Sequence, residues 1–152
     1  MIVDFDVQRH ASLSVSLDKL NESWRYENLI EFKESSNSWV RVCESQQGEV
    51  IGFYLANNIA DQATLLFVWV EEASRRSGHG LSLLNDLLSI SRAKGCSELQ
   101  LEVRQSNASA IALYQRMDFT EVGRRKHYYP PRDNAGVGQN QREDALLYSL
   151  FF

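Results

Sequence analysis

Residues 75–80 read Arg-Arg-Ser-Gly-His-Gly and stand between an apolar run, Ala63–Val70, and a leucine-rich run that starts at Leu81. Two cations before two glycines at a strand-to-helix corner suit an anion. A helix N-terminus leaves backbone N–H groups unpaired, and the helix dipole favours negative charge there. Gly78 and Gly80 take away the β-carbons that would hold a phosphate off those amides, and Arg75 and Arg76 supply forked donors for its oxygens. The corner lacks the Lys-Ser/Thr of a nucleotide-hydrolysing P-loop, and Leu83 stands where a dinucleotide fingerprint needs its third glycine. A plain polar turn carrying an arginine pair is the competing reading of the six residues alone.

The flanking pattern must position that corner. Ile2–Val7 alternates like a half-buried strand, and Ala11–Phe32 has helical spacing at Leu13, Leu17, Leu20 and Trp24, with two short helices parted near residues 21–23. Ser38–Ser45 and Gly48–Ile59 read as a hairpin, and Ala63–Val70 as a central strand. The spacing predicts a helix over 80–94 ended by Gly95, a strand over 97–105, and a helix capped by Ser106 and Asn107. Two strands follow, near 118–130 and 143–152, joined by a Pro/Gly/Asn/Gln-rich loop. The order β, helices, β-β-β, α, β, α, β-β predicts an α/β (α+β) fold with a mixed sheet and a parallel crossover.

Composition narrows the field. A chain of 152 residues, 43% hydrophobic and 24% charged, fits one soluble domain over residues 1–152. The net charge of −4 argues against general nucleic-acid binding. Cys43 and Cys96 belong to no CxxC pair, so neither a disulfide framework nor a metal site is expected. No apolar run nears the ~18 residues of a membrane span, and the acidic N-terminus is no secretory signal, so the expected setting is cytoplasmic.

The run Val70–Gly80 resembles the acyl-CoA signature of the Gcn5-related N-acetyltransferases (GNAT), R/Q-x-x-G-x-G/A, at Arg75, Gly78 and Gly80. The blocks LEVR-x-SNA-x-AIALY, RRKHYYP and REDALLYSL resemble the RimI-type ribosomal-protein-alanine branch, densely over residues 63–150 and thinly before. The resemblance implies a GNAT fold, with a twisted central sheet of about six to seven strands, about four helices and a splayed parallel strand pair. It also implies acetyl-CoA as cosubstrate with no metal, and the N-terminal segment of a protein, a ribosomal protein, as acceptor. By the same resemblance the pyrophosphate would rest on the amides of Arg76, Ser77, Gly78, His79, Gly80 and Leu81. The pantetheine arm would pair with Val68, Trp69 and Val70, and Asn107 would contact the cofactor, although Asn107 is equally a helix cap.

The resemblance puts the catalytic carboxylate at Glu102 and the phenol at Tyr114. Alternation turns Glu102 away from Leu99, Leu101 and Val103, free to line a cleft and act through a bridging water, where its plain alternative is a solvated strand residue. A core aromatic is the plain alternative for Tyr114; as a phenol it suits proton donation to a thiolate. The resemblance also sets Tyr128 and Tyr129 over the peptide site, against the plain reading of an edge-strand pair. Glu143 and Asp144 are an acidic pair that would either receive a basic peptide or simply be solvated.

The sequence departs from the family pattern at three places. Glu71–Glu72 replaces Asp-Pro, Trp69 replaces a small residue and must face away from the groove or narrow it, and His79 replaces an apolar one. A transferase for small amines, and a silent CoA-binding domain, are the other functions this sequence allows.

Overall fold

The computed structural model describes residues 1–20, 24–131 and 141–152. Its strands are β1 (Ile2–Asp4), β2 (Ser38–Glu44), β3 (Val50–Ile59), β4 (Gln62–Val70), β5 (Glu98–Arg104), β6 (Thr120–Tyr129) and β7 (Glu143–Phe151). The helices are α1 (Leu13–Leu20), α2 (Tyr26–Lys33), α3 (His79–Ala93) and α4 (Ala108–Arg116). One seven-stranded sheet runs β1-β2-β3-β4-β5-β7-β6, antiparallel except for β4 beside β5. The first strand is shorter than alternation predicts: Phe5 leaves the sheet and enters the core beside Leu13 and Leu17. The expected break between the two short helices falls on residues 21–23, outside the described residues.

Alternation on the central strands feeds two cores. Tyr54, Leu65, Leu99 and Leu101 meet Leu83, Leu84 and Leu87 of α3 and Tyr114 of α4 on one face. Phe53, Leu55, Val40 and Val42 meet Leu13, Leu17 and Leu29 of α1 and α2 on the other. Each such side chain, fully buried, contributes about 1.5–3 kcal/mol. Polar ties then fix where α3 lies. Arg41 donates twice to the Asp86 carboxylate, from Nε and Nη2 at 3.0 Å each, and Tyr54 donates to it at 2.8 Å. Burial, with Asp86 beside it, pushes the Tyr54 phenol far above its ordinary range.

A second tie closes the N-terminal segment on β2. The Glu44 carboxylate, almost fully buried, accepts from Arg9 and faces His10 Nε2 at 2.9 Å. His10 Nδ1 accepts from the Asp6 N–H, so the neutral ring carries its proton on Nε2 and donates it to Glu44.

The break in the sheet is what positions the site. β4 and β5 pair only from Gln62/Glu98 to Leu65/Leu101, yet β4 runs on to Val70 and β5 to Arg104. On the other side of β4, Leu55 faces Phe67 while Ala56 faces Leu65, which leaves Leu66 as an extra residue. Such a bulge bends its strand and shifts the alternation by one. Ala63, Leu65, Val68 and Val70 therefore all serve the α3/α4 core, while Phe67 and Trp69 pack against Phe53 on the opposite face. The bulk of Trp69 is thus turned to the α1/α2 side.

Candidate active site

Beyond Leu65 no strand among the described residues pairs with the outer edge of β4. The Glu71 N–H donates to Ile51 O at 2.9 Å, so in this antiparallel ladder Glu71, Trp69 and Phe67 direct their backbone groups to β3. Those of Val68 and Val70 point the other way, into the gap. Arg75 folds back so that its Nε donates to Val70 O at 3.0 Å, which leaves the Val70 N–H and both polar groups of Val68 facing the opening.

At the end of that edge the chain turns through a short 3-10 segment, Glu72–Ser74, into α3. Arg76 and Gly78 are both left-handed, at φ 60° and 85°. Gly78 caps α3 without any side-chain hydrogen bond, and the first helical bond is Ser82 N–H to Gly78 O at 3.0 Å. None of the six N–H groups from Arg76 to Leu81 finds an acceptor among the described residues. A β-carbon on Gly78 would meet nothing within 4 Å. Six open amides, the N-terminal end of the α3 dipole and two exposed arginines stand together at this corner, with Glu71 and Glu72 exposed upstream.

The two glycines differ in what they do. A β-carbon on Gly80 would stand 3.2 Å from Leu113 Cδ2, so this glycine also lets α4 approach α3. The His79 side chain points beneath the cradle, with Nδ1 4.0 Å from Cys43 Sγ. Asn107 caps α4 by accepting from the Ala110 N–H at 3.3 Å.

Tyr114 enters the gap from the α3/α4 face and packs on Phe119 and on Tyr148, which lies opposite Leu101 at the last paired rung. The residue is only 5% exposed, and burial first, then the Tyr129 phenol, pushes its own phenol well above the usual tyrosine range. Its hydroxyl makes no hydrogen bond among the described residues, yet none of their fully buried side-chain polar atoms lacks a partner. The hydroxyl is therefore not wholly buried, and it keeps its proton throughout the neutral range.

Glu102 alternates with buried Leu101 and Val103 and so emerges on the opposite face. Its carboxylate is 28% exposed and pairs with Arg125 Nε at 3.2 Å. The carboxylate and the phenol thus approach the parted strands from the two sides of the sheet. Arg125 carries no local signal in the sequence, because its contact with Glu102 crosses the intervening strand β7.

Glu143 and Asp144 are already engaged. Glu143 accepts from the Ser106 N–H at 2.5 Å and from Arg104 at 3.3 Å, and these contacts outweigh burial to hold its carboxyl below the usual range. Asp144 accepts from the His127 N–H. Neither is poised to receive a peptide. Tyr128 and Tyr129 meet edge to face at 5.1 Å, with Arg125 over the first ring and Arg104 over the second. Most of the loop after them, residues 132–140, lies outside the described residues. Among the described residues no cluster of His, Cys, Asp and Glu could hold a metal ion, and no helix is long and apolar enough to cross a membrane.

A parted parallel strand pair beside an uncapped helix N-terminus is the layout of an acyl-CoA-dependent transferase. Residues 7–119 match the acetyltransferase (GNAT) family, and the chain belongs to it. It is an acetyl-CoA-dependent N-acetyltransferase. It is 38% identical to the ribosomal protein bS18-alanine N-acetyltransferase of Escherichia coli (strain K12) over 106 residues, 70% of this chain and 67% of that protein. It is 34% identical to the Haemophilus influenzae protein of the same name over 140 residues, 88% and 86% of the two chains. The crystal structure of the ribosomal-protein-S18-alanine N-acetyltransferase from Escherichia coli superposes with a TM-score of 0.83 at 28% identity, covering 99% of this chain and 92% of that one. That of nourseothricin acetyltransferase has a TM-score of 0.65 at 28% identity, over 76% and 66%.

Proposed function

We propose that this protein, acting as one acetyltransferase domain in the cytoplasm, moves the acetyl group of acetyl-CoA to the N-terminal α-amine of a protein. Its substrate on this reading is the N-terminal alanine of a small-subunit ribosomal protein. The observation that carries the substrate is the near full-length similarity to relatives named for that reaction. The chemistry rests on the gap at Leu65/Leu101, flanked by a carboxylate on one face and a phenol on the other.

Acetyl-CoA supplies an activated thioester when bound. The open amides of Arg76–Leu81, with Arg75 and Arg76, hold its pyrophosphate, and Val68 and Val70 offer a strand edge to its amide-bearing arm. Asn107, whose Oδ1 caps α4, keeps its Nδ2 as a donor for the cofactor. An α-amine titrates at about 7.7–8.0, so much of it is protonated in solution at neutral pH, and the neutral fraction is the form that attacks. Glu102 takes a proton from the nitrogen through a water as the nitrogen lone pair attacks the thioester carbonyl carbon. The Val70 N–H polarises the carbonyl oxygen. As the C–N bond forms and the C–S bond breaks, Tyr114 gives its proton to the leaving sulfur, and both side chains re-equilibrate with solvent.

The test is acetylation of a peptide panel varying the first residue, with mass spectrometry locating the acetyl group. Modification at the α-amine of Ala-initiated peptides is expected; purified protein that acetylates none of them defeats the reading. The similarity to nourseothricin acetyltransferase favours a second reading, an amine-bearing small molecule as acceptor. Faster turnover of free aminoglycosides or polyamines than of any peptide would establish it instead.

A further inference from the structure

On the α1/α2 side of the sheet, beyond the parting of β4 and β5, two neighbouring rows of residues cross β5, β7 and β6. One is Glu102, Leu147 and Gly123; the next is Arg104, Ala145 and Arg125. Arg125 starts on the edge strand yet reaches diagonally over β7 to bring Nε to 3.2 Å from Glu102 Oε1. Small residues make the path: Ala145 lies fully buried beneath the arginine stem, and Gly123 presents no side chain over Leu147.

The arginine is also held from behind. Between Arg125, opposite Ala145, and Tyr129, opposite Glu143, β6 carries three residues where β7 carries one. This excursion is stapled by Asp144, which accepts from the His127 N–H, and by Arg142, which donates to His127 O and Tyr128 O at 2.8 and 2.6 Å. It sets the Tyr128 ring under the Arg125 guanidinium at 5.0 Å, a cation–π seat that fixes the plane of the fork. With 53% of its side chain exposed, Arg125 adds little to stability through this ion pair.

We propose that Arg125 is a positioning residue for the acceptor step: it orients the Glu102 carboxylate and excludes the ammonium form of the substrate from it. This deepens the reading above and rests on it. A bare carboxylate in a cleft would attract an α-ammonium and hold it protonated, the form that cannot attack. A cation already paired with that carboxylate opposes the second positive charge, so the amine binds neutral and ready to react.

Among the described residues, the other charged groups around Glu102 leave this task to Arg125. Arg104, on the same strand, is engaged with Glu143 of β7, the Pro130 carbonyl and the Tyr129 ring. Asp144 of β7 faces Arg124 of β6 at 3.6 Å, and Arg124 also meets Glu121. Lys126 follows on exposed β6, Leu66–Val70 of β4 bring no ionisable side chain, and the Tyr114 phenol enters from the other face.

The experiment compares wild type with Arg125→Met and Arg125→Lys on an Ala-initiated peptide, following kcat and KM against pH together with thermal stability. In Arg125→Met the acid limb of the kcat profile should move up by about one pH unit, so that kcat near pH 7 falls about tenfold, with KM no higher and the melting temperature nearly unchanged. Arg125→Lys should keep the wild-type limb. An unmoved limb in Arg125→Met, or an equal loss at every pH with a lowered melting temperature, overturns the proposal alone. A wild type inactive on every peptide overturns both this proposal and the N-terminal reading beneath it.

Discussion

Gly80 and Leu113 are in contact across two helices: a β-carbon on Gly80 would lie 3.2 Å from Leu113 Cδ2. The glycine at the proposed cofactor cradle is therefore also the seat of α4, and Tyr114 is the next residue along that helix. Cradle and phenol are mechanically joined. The sequence alone suggests that a larger residue at position 80 weakens cofactor binding far more than the fold; the contact with Leu113 adds a packing cost on the α4 side.

Gly80→Val should accordingly lower acetyl-CoA affinity and also destabilise the protein, by about 1–3 kcal/mol for overpacking. Calorimetric titration with CoA and urea denaturation report the two effects. A variant that loses affinity with an unaltered denaturation midpoint would show that α4 is not seated on this residue.

Gly78→Ala probes the cradle differently. At φ 85° an L side chain costs about 1–2 kcal/mol, and its β-carbon would project into open space where the phosphate is proposed to lie. Gly48→Ala is the matched control, with φ 82° and nothing within 4 Å of its β-carbon. Both variants should lose similar stability, and only Gly78→Ala should lose CoA affinity. Equal affinities in the two would remove the phosphate from this corner.

Tyr114→Phe removes a hydroxyl that has no hydrogen-bond partner among the described residues, so its melting temperature at neutral pH should match wild type. On the proposed mechanism kcat falls about 10²-fold. The raised phenol has a further consequence. Above about pH 10 the unfolded chain loses this proton and the folded chain keeps it, so stability falls as pH rises. Tyr54, raised for the same reason, adds to that fall, and Tyr114→Phe should lessen it without abolishing it. Denaturation curves between pH 8 and pH 11, at about half-unit steps across the ordinary tyrosine pKa, would read the difference.

Glu102→Gln keeps the shape of the side chain and removes its charge. The expected result is a kcat lower by about 10²-fold with CoA affinity intact, since the carboxylate lies on the face opposite the α3 cradle. Wild-type turnover in this variant would reassign the base.

Glu44 tests the N-terminal clasp. Burial works to raise its carboxyl, but hydrogen bonds from Arg9 and His10 outweigh that and hold it below the usual range. A depressed carboxylate stabilises the fold above the unfolded pKa, about 4.3, and that contribution is lost as pH falls. Glu44→Gln should flatten the acid side of the stability profile below about pH 5 and lower stability at neutral pH. An acid profile parallel to wild type would show that the clasp is not an ion pair.

Local pattern carried much of this protein into its sequence. The strand–glycine–helix corner, the period-two burial of β5, the Asn107 cap and the Gly95 stop are all decided within a few residues by backbone sterics and unpaired amides, so they are legible from adjacent letters. The same holds for Arg75, Gly78 and Gly80, whose chemistry is that of the turn itself.

The tertiary structure alone decided what depends on neighbours distant in sequence. The bulge at Leu66 is visible only against β3, and it turns Trp69 to the α1/α2 face as β4 leaves β5. Only across β7 does Arg125 find Glu102, and only through Arg104, Ser106 and His127, all distant in sequence, are Glu143 and Asp144 engaged. Strand register and side-chain reach are set by the packing of the whole sheet, and a linear string of residues carries no record of which edges will face one another.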